Sequence, residues 1–178
     1  MDRTIVIGHI ALIQRSKKQA FVLEVIKALR DKGHDAVGIF AGECRELEYL
    51  TELRQKIKEI GLSNQVAFLG RRNDIPDLFK LIDVLMIPSA FEGFPLAGLE
   101  AAAAGVPVAA CNVAGAKEFI DVSSGGKAFA EDNVSEAVEA VLGCFNDQTL
   151  VVKGRRFVVQ AQREVYQERI MACFREIE

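Results

Sequence analysis

Five short apolar runs alternate with helix-period segments along the first two thirds of the chain. The runs are TIVIG (4–8), AVGIFAG (36–42), VAFLG (66–70), VLMIPS (84–89) and PVAAC (107–111). Because apolar residues follow one another directly in each run, we expect strands that are covered on both faces. Between them, apolar residues recur at helical spacing, as in Val22, Val25, Ile26 and Leu29. This order predicts a Rossmann-like α/β fold, a parallel sheet between helices with its ligand site at the carboxyl ends of the strands.

The last third of the chain has a different pattern. Gly125 and Gly126 predict a turn before a short final strand, and helices are predicted over residues 133–145 and 157–177. The last helix carries apolar residues along one face: Tyr166, Ile170, Phe174 and Ile177. This face packs either on the core of the same domain or, over about residues 149–178, toward a domain outside this sequence.

Length, charge and cysteine content restrict the class of protein. The 178 residues, half of them hydrophobic, predict one domain over residues 1–178. The net charge of −3 argues against a nucleic-acid partner and predicts only indirect contact with membrane. Four dispersed cysteines in apolar surroundings predict buried thiols and a cytoplasmic protein. Peripheral attachment of the full-length protein at the inner membrane is the alternative. With two histidines we predict no metal site, and we interpret His9 as structural, with a cleft-facing position as the alternative.

One segment combines a strand end, a turn and the start of a helix. Residues 88–108 have the sequence PSAFEGFPLAGLEAAAAGVPV. A proline ends the fourth strand, Pro95 falls in the first turn of a helix, and Gly105 closes that helix. The first amides of the helix, from about Phe94 and Leu96 onward, lie at the positive end of the helix dipole. They predict a phosphate-binding site.

The same segment holds two carboxylates eight positions apart, Glu92 in the loop and Glu100 on the helix. A turn at Gly93 would fold Glu92 back toward the start of the helix, so that both carboxylates face one ligand. Carboxylates accept hydrogen bonds from the paired hydroxyls of sugars and riboses. A phosphate site beside two such acceptors predicts a nucleotide-sugar ligand. The four alanines that follow Glu100 predict a helix lying close to the sheet.

Residues 88–120 and the upstream stretches IGLSNQ and VAFLGRRNDIPDLFKLIDVLMIPS resemble the E-x7-E region of the family 4 retaining glycosyltransferases. The resemblance covers roughly residues 5–130 and implies the C-terminal, donor-binding half of a GT-B fold. It implies a UDP-, GDP- or ADP-sugar as substrate, no tightly bound cofactor, and an N-terminal acceptor-binding domain as partner. A glycosyl unit would pass to a hydroxyl acceptor in polysaccharide or glycoconjugate synthesis. The single domain would bind the donor without turnover.

The resemblance also implies roles for individual residues. Glu92 would contact the sugar and support the reacting anomeric carbon, and Lys17 would neutralise the diphosphate leaving group. Glu100 would bind the ribose hydroxyls, and Gly70 with Arg71 would lie beside the base. The remaining donor-binding residues would be Ser89 and the phosphate-holding turn formed by Gly93, Phe94, Pro95 and Leu96.

Three positions depart from the pattern of this family. A glycine and an arginine precede the lysine by six and five residues there, whereas this chain has Ala11 and Leu12. The diphosphate site therefore lacks one of its two cations, for which Arg15, displaced along the loop, is a candidate substitute. Cys44 stands where a glycine is common. A second hypothesis is thus a non-catalytic nucleotide-binding or interaction module with a degraded diphosphate site, and a third is another GT-B enzyme such as a UDP-sugar epimerase.

Overall fold

A parallel sheet forms the centre of the molecule. The computed structural model describes residues 3–91, 93 and 95–175, and for 165–175 it describes the backbone alone. Within these ranges six parallel strands form one sheet in the order β3-β2-β1-β4-β5-β6. They are β1 Ile5–Ile10, β2 Ala36–Ala41, β3 Val66–Phe68, β4 Val84–Ile87, β5 Val108–Cys111 and β6 Gly126–Phe129. The predicted doubly wound sheet is confirmed, and its strand order reverses between β1 and β4, where such folds leave a crevice.

Helices cover both faces of this sheet. They are α1 Gln19–Asp31, α2 Leu47–Glu59, α3 Ile75–Phe79, α4 Leu96–Ala104, α5 Ala114–Ser123, α6 Val134–Asn146 and α7 Gln148–Arg175. Strand β4 is buried throughout, with Val84 and Met86 in one apolar cluster and Leu85 and Ile87 in the other. The first cluster also contains side chains of α1, α2 and α6, and the second those of α4, α5 and α7. No helix in the described ranges has the length and apolarity needed to cross a membrane.

The last helix begins at Gln148 rather than near residue 157, as the sequence pattern predicts. Asp147 caps the start of this helix, because its Oδ1 accepts hydrogen bonds from the Thr149 amide at 3.0 Å and the Thr149 hydroxyl at 2.7 Å. Gly154 lies inside the helix against Gly125 and Ala102. The predicted apolar face from residue 166 to 177 lies outside the residues whose side chains are described.

Three smaller differences from the sequence predictions concern the end of β3, the start of α4 and the burial of Cys44. Strand β3 ends at Phe68 rather than Gly70, because Gly70 takes the left-handed conformation with φ 64°. Pro95 directly precedes α4 as its N-cap instead of lying in its first turn, while Gly105 closes the helix as predicted. Cys44 is exposed in the loop after β2, so its predicted burial is wrong.

The buried thiols follow the prediction. Cys111 and Cys144 are both buried. Burial raises the pKa of Cys144 to about 12 and also raises the pKa of Cys111. Both thiols are therefore protonated at neutral pH, which makes them poor nucleophiles.

Candidate functional site

A pocket of about 260 Å³ opens at the carboxyl ends of β1 and β4, where the strand order reverses. Its wall is formed by the end of β1, the turn after it, the end of β4 and the start of α4. Four residues predicted for the site line it together: Lys17, Ser89, Pro95 and Leu96. The structure therefore brings one cation, one hydroxyl and one helix N-terminus to the same cavity.

The N-terminus of α4 lies at this pocket. Gly98 and Leu99 donate to the carbonyl oxygen of Pro95 at 2.9 and 3.1 Å. The helix begins at Leu96, so the amides of Leu96 and Ala97 lie in the chain before the first two donors, Gly98 and Leu99. Both Leu96 and Ala97 line the pocket. The first turn of α4, all of it described, contains no acidic side chain. Such an end carries about half a positive charge and suits an anion such as phosphate.

Ser89 contributes a buried hydroxyl. The residue is 1% exposed, and its Oγ has no hydrogen-bond partner among the described residues. A buried polar group without a partner costs roughly 1–3 kcal/mol. Because Ser89 also lines the pocket, a ligand or water there would satisfy this hydroxyl.

Lys17 reaches the pocket from a short 3-10 turn, Arg15–Lys17, between β1 and α1. The carbonyl oxygen of Ser16 in this turn accepts a hydrogen bond from the Ala90 amide at 3.3 Å. The turn after β1 is thereby joined to the loop after β4. This contact places the lysine and Ser89 on adjoining parts of the same wall.

Arg15 does not replace the missing cation in this structure. Its Nη2 lies 2.6 Å from Glu52 Oε1, its Nε lies 3.8 Å from Glu46 Oε2, and its guanidinium lies 5.0 Å from the centre of the Tyr49 ring. The hydrogen bond from Arg15 lowers the pKa of Glu52. The side chain thus faces α2 in this structure, and its substitution for the arginine at a bound diphosphate stays a prediction.

A second pocket of about 420 Å³ adjoins the first and shares Ile10 and Ala11 with it. Arg71 lines this second pocket, as does Leu12, which is 38% exposed. Among the described residues Arg71 has no charged partner, whereas the neighbouring Arg72 is held by Asp74 at 2.8 and 2.5 Å. The two pockets together form a cleft along the carboxyl edge of β1.

Gly70 shapes the edge of this cleft through its backbone. Its carbonyl oxygen accepts a hydrogen bond from the amide of Gly42 at 2.8 Å. Gly42 has φ 155° and lies so close to Ala11 that a Cβ there would meet the Ala11 carbonyl oxygen at 1.8 Å. The loops after β1, β2 and β3 are therefore joined by close backbone contact.

The structure describes only one of the two predicted carboxylates. Glu100 lies exposed on α4 and does not line either pocket. Gly93 is exposed, and Glu92 and Phe94 lie outside the described residues. Convergence of the two carboxylates on one ligand therefore stays a prediction. Of the four alanines after Glu100, Ala101 and Ala102 are buried, and Ala102 also contacts α7.

His9 belongs to the pocket wall as well as to the core. It is 2% exposed, and its Nδ1 lies 2.9 Å from the carbonyl oxygen of Met86. Because a carbonyl oxygen only accepts, Nδ1 is the donor. The ring also packs edge-on against Phe40, with centres 5.8 Å apart. The structural interpretation of His9 is confirmed, and the residue also lines the pocket, which was the alternative. The signal for this second position is that His9 lies near the carboxyl end of a central strand, where such folds bind their ligands.

Comparison with known proteins gives a consistent family likeness. Residues 2–164 match the family model described as glycosyl transferases group 1. The lipopolysaccharide core biosynthesis mannosyltransferase LpsB of Rhizobium meliloti (strain 1021) is 29% identical over 146 residues, which cover 80% of this chain and 42% of LpsB. The chain spans less than half the length of the first curated relatives it matches.

Solved structures agree with this likeness. The chain superposes on Alr3699/HepE from Anabaena in complex with UDP and glucose with a TM-score of 0.81 and 26% identity, covering 93% of this chain and 48% of that one. It also superposes on the C-terminal domain of the group 1 family protein LpcC from Francisella tularensis, with a TM-score of 0.75 and 28% identity. That match covers 88% of this chain and 85% of the LpcC domain.

Proposed function

The chain belongs to the group 1 family of glycosyl transferases and has the Rossmann-like fold of one half of a GT-B enzyme, and we propose that it is the donor-binding domain of a retaining glycosyltransferase. The proposed ligand is a nucleotide sugar with UDP, GDP or ADP as its nucleotide. The observation that carries this proposal is the pocket between β1 and β4, which combines α4 amides, Lys17 and the buried hydroxyl of Ser89.

The proposed chemistry depends on charge at the diphosphate. When the bond between the anomeric carbon and the diphosphate oxygen breaks, negative charge develops on that oxygen. The amides of Leu96 and Ala97 and the ammonium of Lys17 would stabilise this charge, because preorganised donors cost no reorganisation during the reaction. The glycosyl unit would then pass to a hydroxyl of the acceptor.

The remaining assignments extend the ligand along the cleft. The base would lie in the second pocket beside Gly70 and Arg71, and Glu100 would accept hydrogen bonds from the ribose hydroxyls. Glu92 would contact the sugar and support the anomeric carbon. Placing the diphosphate at α4 and the base beside Arg71 is supported by the shared wall of the two pockets at Ile10 and Ala11.

The proposed biological setting is polysaccharide or glycoconjugate synthesis. The name of the LpsB relative supports it, since LpsB is described as a mannosyltransferase of lipopolysaccharide core biosynthesis. An N-terminal domain would face the cleft and supply the acceptor site, so the 178-residue chain would bind donor without turnover. We place the full-length protein in the cytoplasm, with peripheral contact at the inner membrane.

Titration calorimetry of the 178-residue chain with UDP, GDP and ADP, and then with their sugars, tests the proposal. We expect one nucleotide to bind, and we expect Lys17→Met to weaken it by about tenfold or more, the cost of a charge-assisted hydrogen bond. Lys32→Met is the matched control, because Lys32 is exposed just after α1, away from the pocket. Absence of binding by all three nucleotides at millimolar concentration would contradict the proposal.

A second candidate function rests on Leu12. This side chain, exposed at the cleft, stands where the family has an arginine, and Arg15 is held by Glu52. Both observations favour a non-catalytic nucleotide-binding or interaction module with a degraded diphosphate site. Strong nucleotide binding by the unmodified chain would argue against this candidate.

A further inference from the structure

Lys18 has a backbone conformation that residues other than glycine rarely adopt. It lies between the 3-10 turn that carries Lys17 and the first residue of α1, with φ 49° and ψ 42°. This is the left-handed region, which is uncommon for residues other than glycine because the Cβ crowds the backbone. In the folded protein the surrounding structure offsets the cost of this conformation.

The side chain of Lys18 makes two short ionic contacts. Its Nζ lies 2.7 Å from Glu131 Oε1 and 2.7 Å from Asp132 Oδ1, and the side chain is 20% exposed. Burial lowers the pKa of Lys18, but the hydrogen bonds to the two carboxylates outweigh burial and leave that pKa raised. The ammonium is therefore charged in the folded protein. We call Lys18, Glu131 and Asp132 the lysine clamp.

The acidic side of the lysine clamp is held in place by the start of α6. Asn133 Oδ1 accepts from the Glu136 amide at 3.1 Å, and Glu136 Oε2 accepts from the Ala130 amide at 2.8 Å. These reciprocal bonds resemble a capping box and fix the loop that carries both acids. Below the loop, the rings of Phe21 and Phe129 stack with centres 5.8 Å apart. The clamp thus closes a packed seam between α1 and β6.

The basic side of the lysine clamp is continuous with the pocket. Ser16 accepts a hydrogen bond from Ala90 in the loop after β4. The fully buried Gln19 donates through Nε2 to the carbonyl oxygen of Leu12 at 2.8 Å. The turn is therefore anchored on both sides of Lys17, and Lys18 joins it to the loop before α6.

We propose that the lysine clamp holds the 3-10 turn in the orientation in which Lys17 lines the donor pocket, which makes Lys18 a positioning residue. The inference rests on the proposed role of Lys17 at the diphosphate. Two neighbouring lysines then have different tasks: one faces the ligand, and the other fixes the direction of the first.

The test compares Lys18→Ala with Lys18→Gly. Both lose the ion pairs, but glycine adopts the left-handed conformation without the crowding of a Cβ. Hydrogen exchange followed by mass spectrometry reports on the amides of residues 14–22, and calorimetry reports on the binding of UDP; if the wild-type chain binds GDP or ADP instead, that nucleotide and its nucleoside replace UDP and uridine. For Lys18→Ala we expect faster exchange and UDP affinity lowered roughly fivefold, the upper range for one ion-pair contact. For Lys18→Gly we expect a smaller loss of affinity, and for both variants we expect binding of uridine, followed by ligand-observed NMR, to be unchanged.

Two further variants separate the lysine clamp from general effects of charge. The double variant Glu131→Gln, Asp132→Asn keeps Lys18 and should reproduce the Lys18→Ala result. Lys27→Ala is the matched control, because it removes an exposed ion pair with Asp31 on the same helix and should change neither exchange nor affinity. Circular dichroism verifies that each variant is folded.

The outcomes distinguish this proposal from the proposed function. Unchanged exchange in Lys18→Ala would overturn the lysine clamp, and faster exchange with unchanged UDP affinity would overturn the positioning of Lys17. An equal loss of UDP and uridine binding would also count against it, because the effect would not be specific to the diphosphate. Failure of the wild-type chain to bind UDP, GDP and ADP would contradict the proposed function, while the exchange data would still decide whether the clamp exists.

Discussion

Leu12 is the residue at which the cationic part of the proposed site is incomplete. It lines the second pocket, is partly exposed and directly follows Ala11, which both pockets share, so an arginine there has room and lies next to the proposed diphosphate site. We predict that Leu12→Arg raises the affinity for UDP by about tenfold or more, because a guanidinium forms charge-assisted bonds to phosphate oxygens. Calorimetry measures the change, and Leu47→Arg, on the exposed start of α2, is the control for added charge. A gain equal to that of the control would contradict the prediction.

Gly42 is the residue that brings the loops after β1 and β2 together. A Cβ there would lie 1.8 Å from the Ala11 carbonyl oxygen, a backbone atom that cannot move alone. We predict that Gly42→Ala lowers the free energy of unfolding by about 2 kcal/mol or more. Urea unfolding measures this change.

Gly33→Ala is the matched control for Gly42→Ala. Gly33 also has positive φ, at 89°, but nothing lies within 4 Å of its added Cβ. It should therefore lose only about 1 kcal/mol, the cost of the conformation itself. Equal losses at the two positions would show that conformation, and not the contact with Ala11, explains the effect.

Individual side chains show where sequence reasoning about the site stops. The meeting of Ser89 with Leu96 could be predicted, because one short segment encodes both the strand end and the helix start. The direction of Arg15 could not, because its partner Glu52 lies 37 positions away on α2. The dual position of His9 likewise depends on Met86, which is 77 positions away. Contacts between distant segments follow from strand order, which periodicity does not specify.

At the scale of elements, α7 crosses the loop before β6 at two glycines. A Cβ at Gly125 would lie 2.8 Å from the Cα of Gly154, whereas a Cβ at Gly154 would be at an ordinary 3.4 Å from Ala102. We predict that Gly125→Ala destabilises the fold by about 2 kcal/mol, because the helix backbone must move. Gly154→Ala should be neutral or stabilising by up to about 1 kcal/mol, because alanine favours the helix. Thermal unfolding compares the pair, and a larger loss at Gly154 would contradict this packing.

The start of α7 shows why element boundaries are harder to predict than elements. Gly154 lowers the helical propensity of its segment, but packing against Ala102 and Gly125 outweighs that preference. The sequence does contain a signal for this start, which periodicity alone misses. Asp147 is followed two positions later by Thr149, and aspartate commonly caps a helix by accepting from an amide at that distance. The five strands predicted from continuous apolar runs were all found, and β4 and β5 are buried throughout as expected. The expectation of cover on both faces is wrong for β3, which lies at the edge of the sheet with Ala67 exposed.

At the scale of the whole molecule, the fold class and the sheet edge that carries the pocket followed from the sequence, but the strands that border the pocket did not. Alternating strands and helices restrict the chain to a parallel sheet covered on both faces. The position of β1 between β2 and β4 creates the crevice, and it results from pairing between strands far apart in the chain. Family resemblance supplied the proposed roles of residues in that crevice, and the structure adds how the surrounding loops are joined.

The response of the whole domain to acid follows from several carboxylates distributed over its surface. Hydrogen bonds from Thr4 and Arg30 lower the pKa of Asp35, and a hydrogen bond from Arg72 lowers that of Asp74. A carboxylate whose pKa is lower in the folded state binds protons more readily when unfolded, so it stabilises the fold above its unfolded pKa of about 4. This stabilisation is lost as the pH falls further, through the lower pKa of the folded state.

We therefore predict a melting temperature that changes little between about pH 5 and 8 and decreases below about pH 4. Thermal unfolding followed by circular dichroism at several pH values measures this dependence. Asp35→Asn should reduce the acid-induced decrease, since it removes one carboxylate that joins the start of β1 to β2 through Thr4. Asp31→Asn, whose partner Lys27 is on the same helix, is the control. Because these groups are exposed, added salt should weaken the difference between the variants, and an effect that persists at 1 M salt would contradict a surface electrostatic origin.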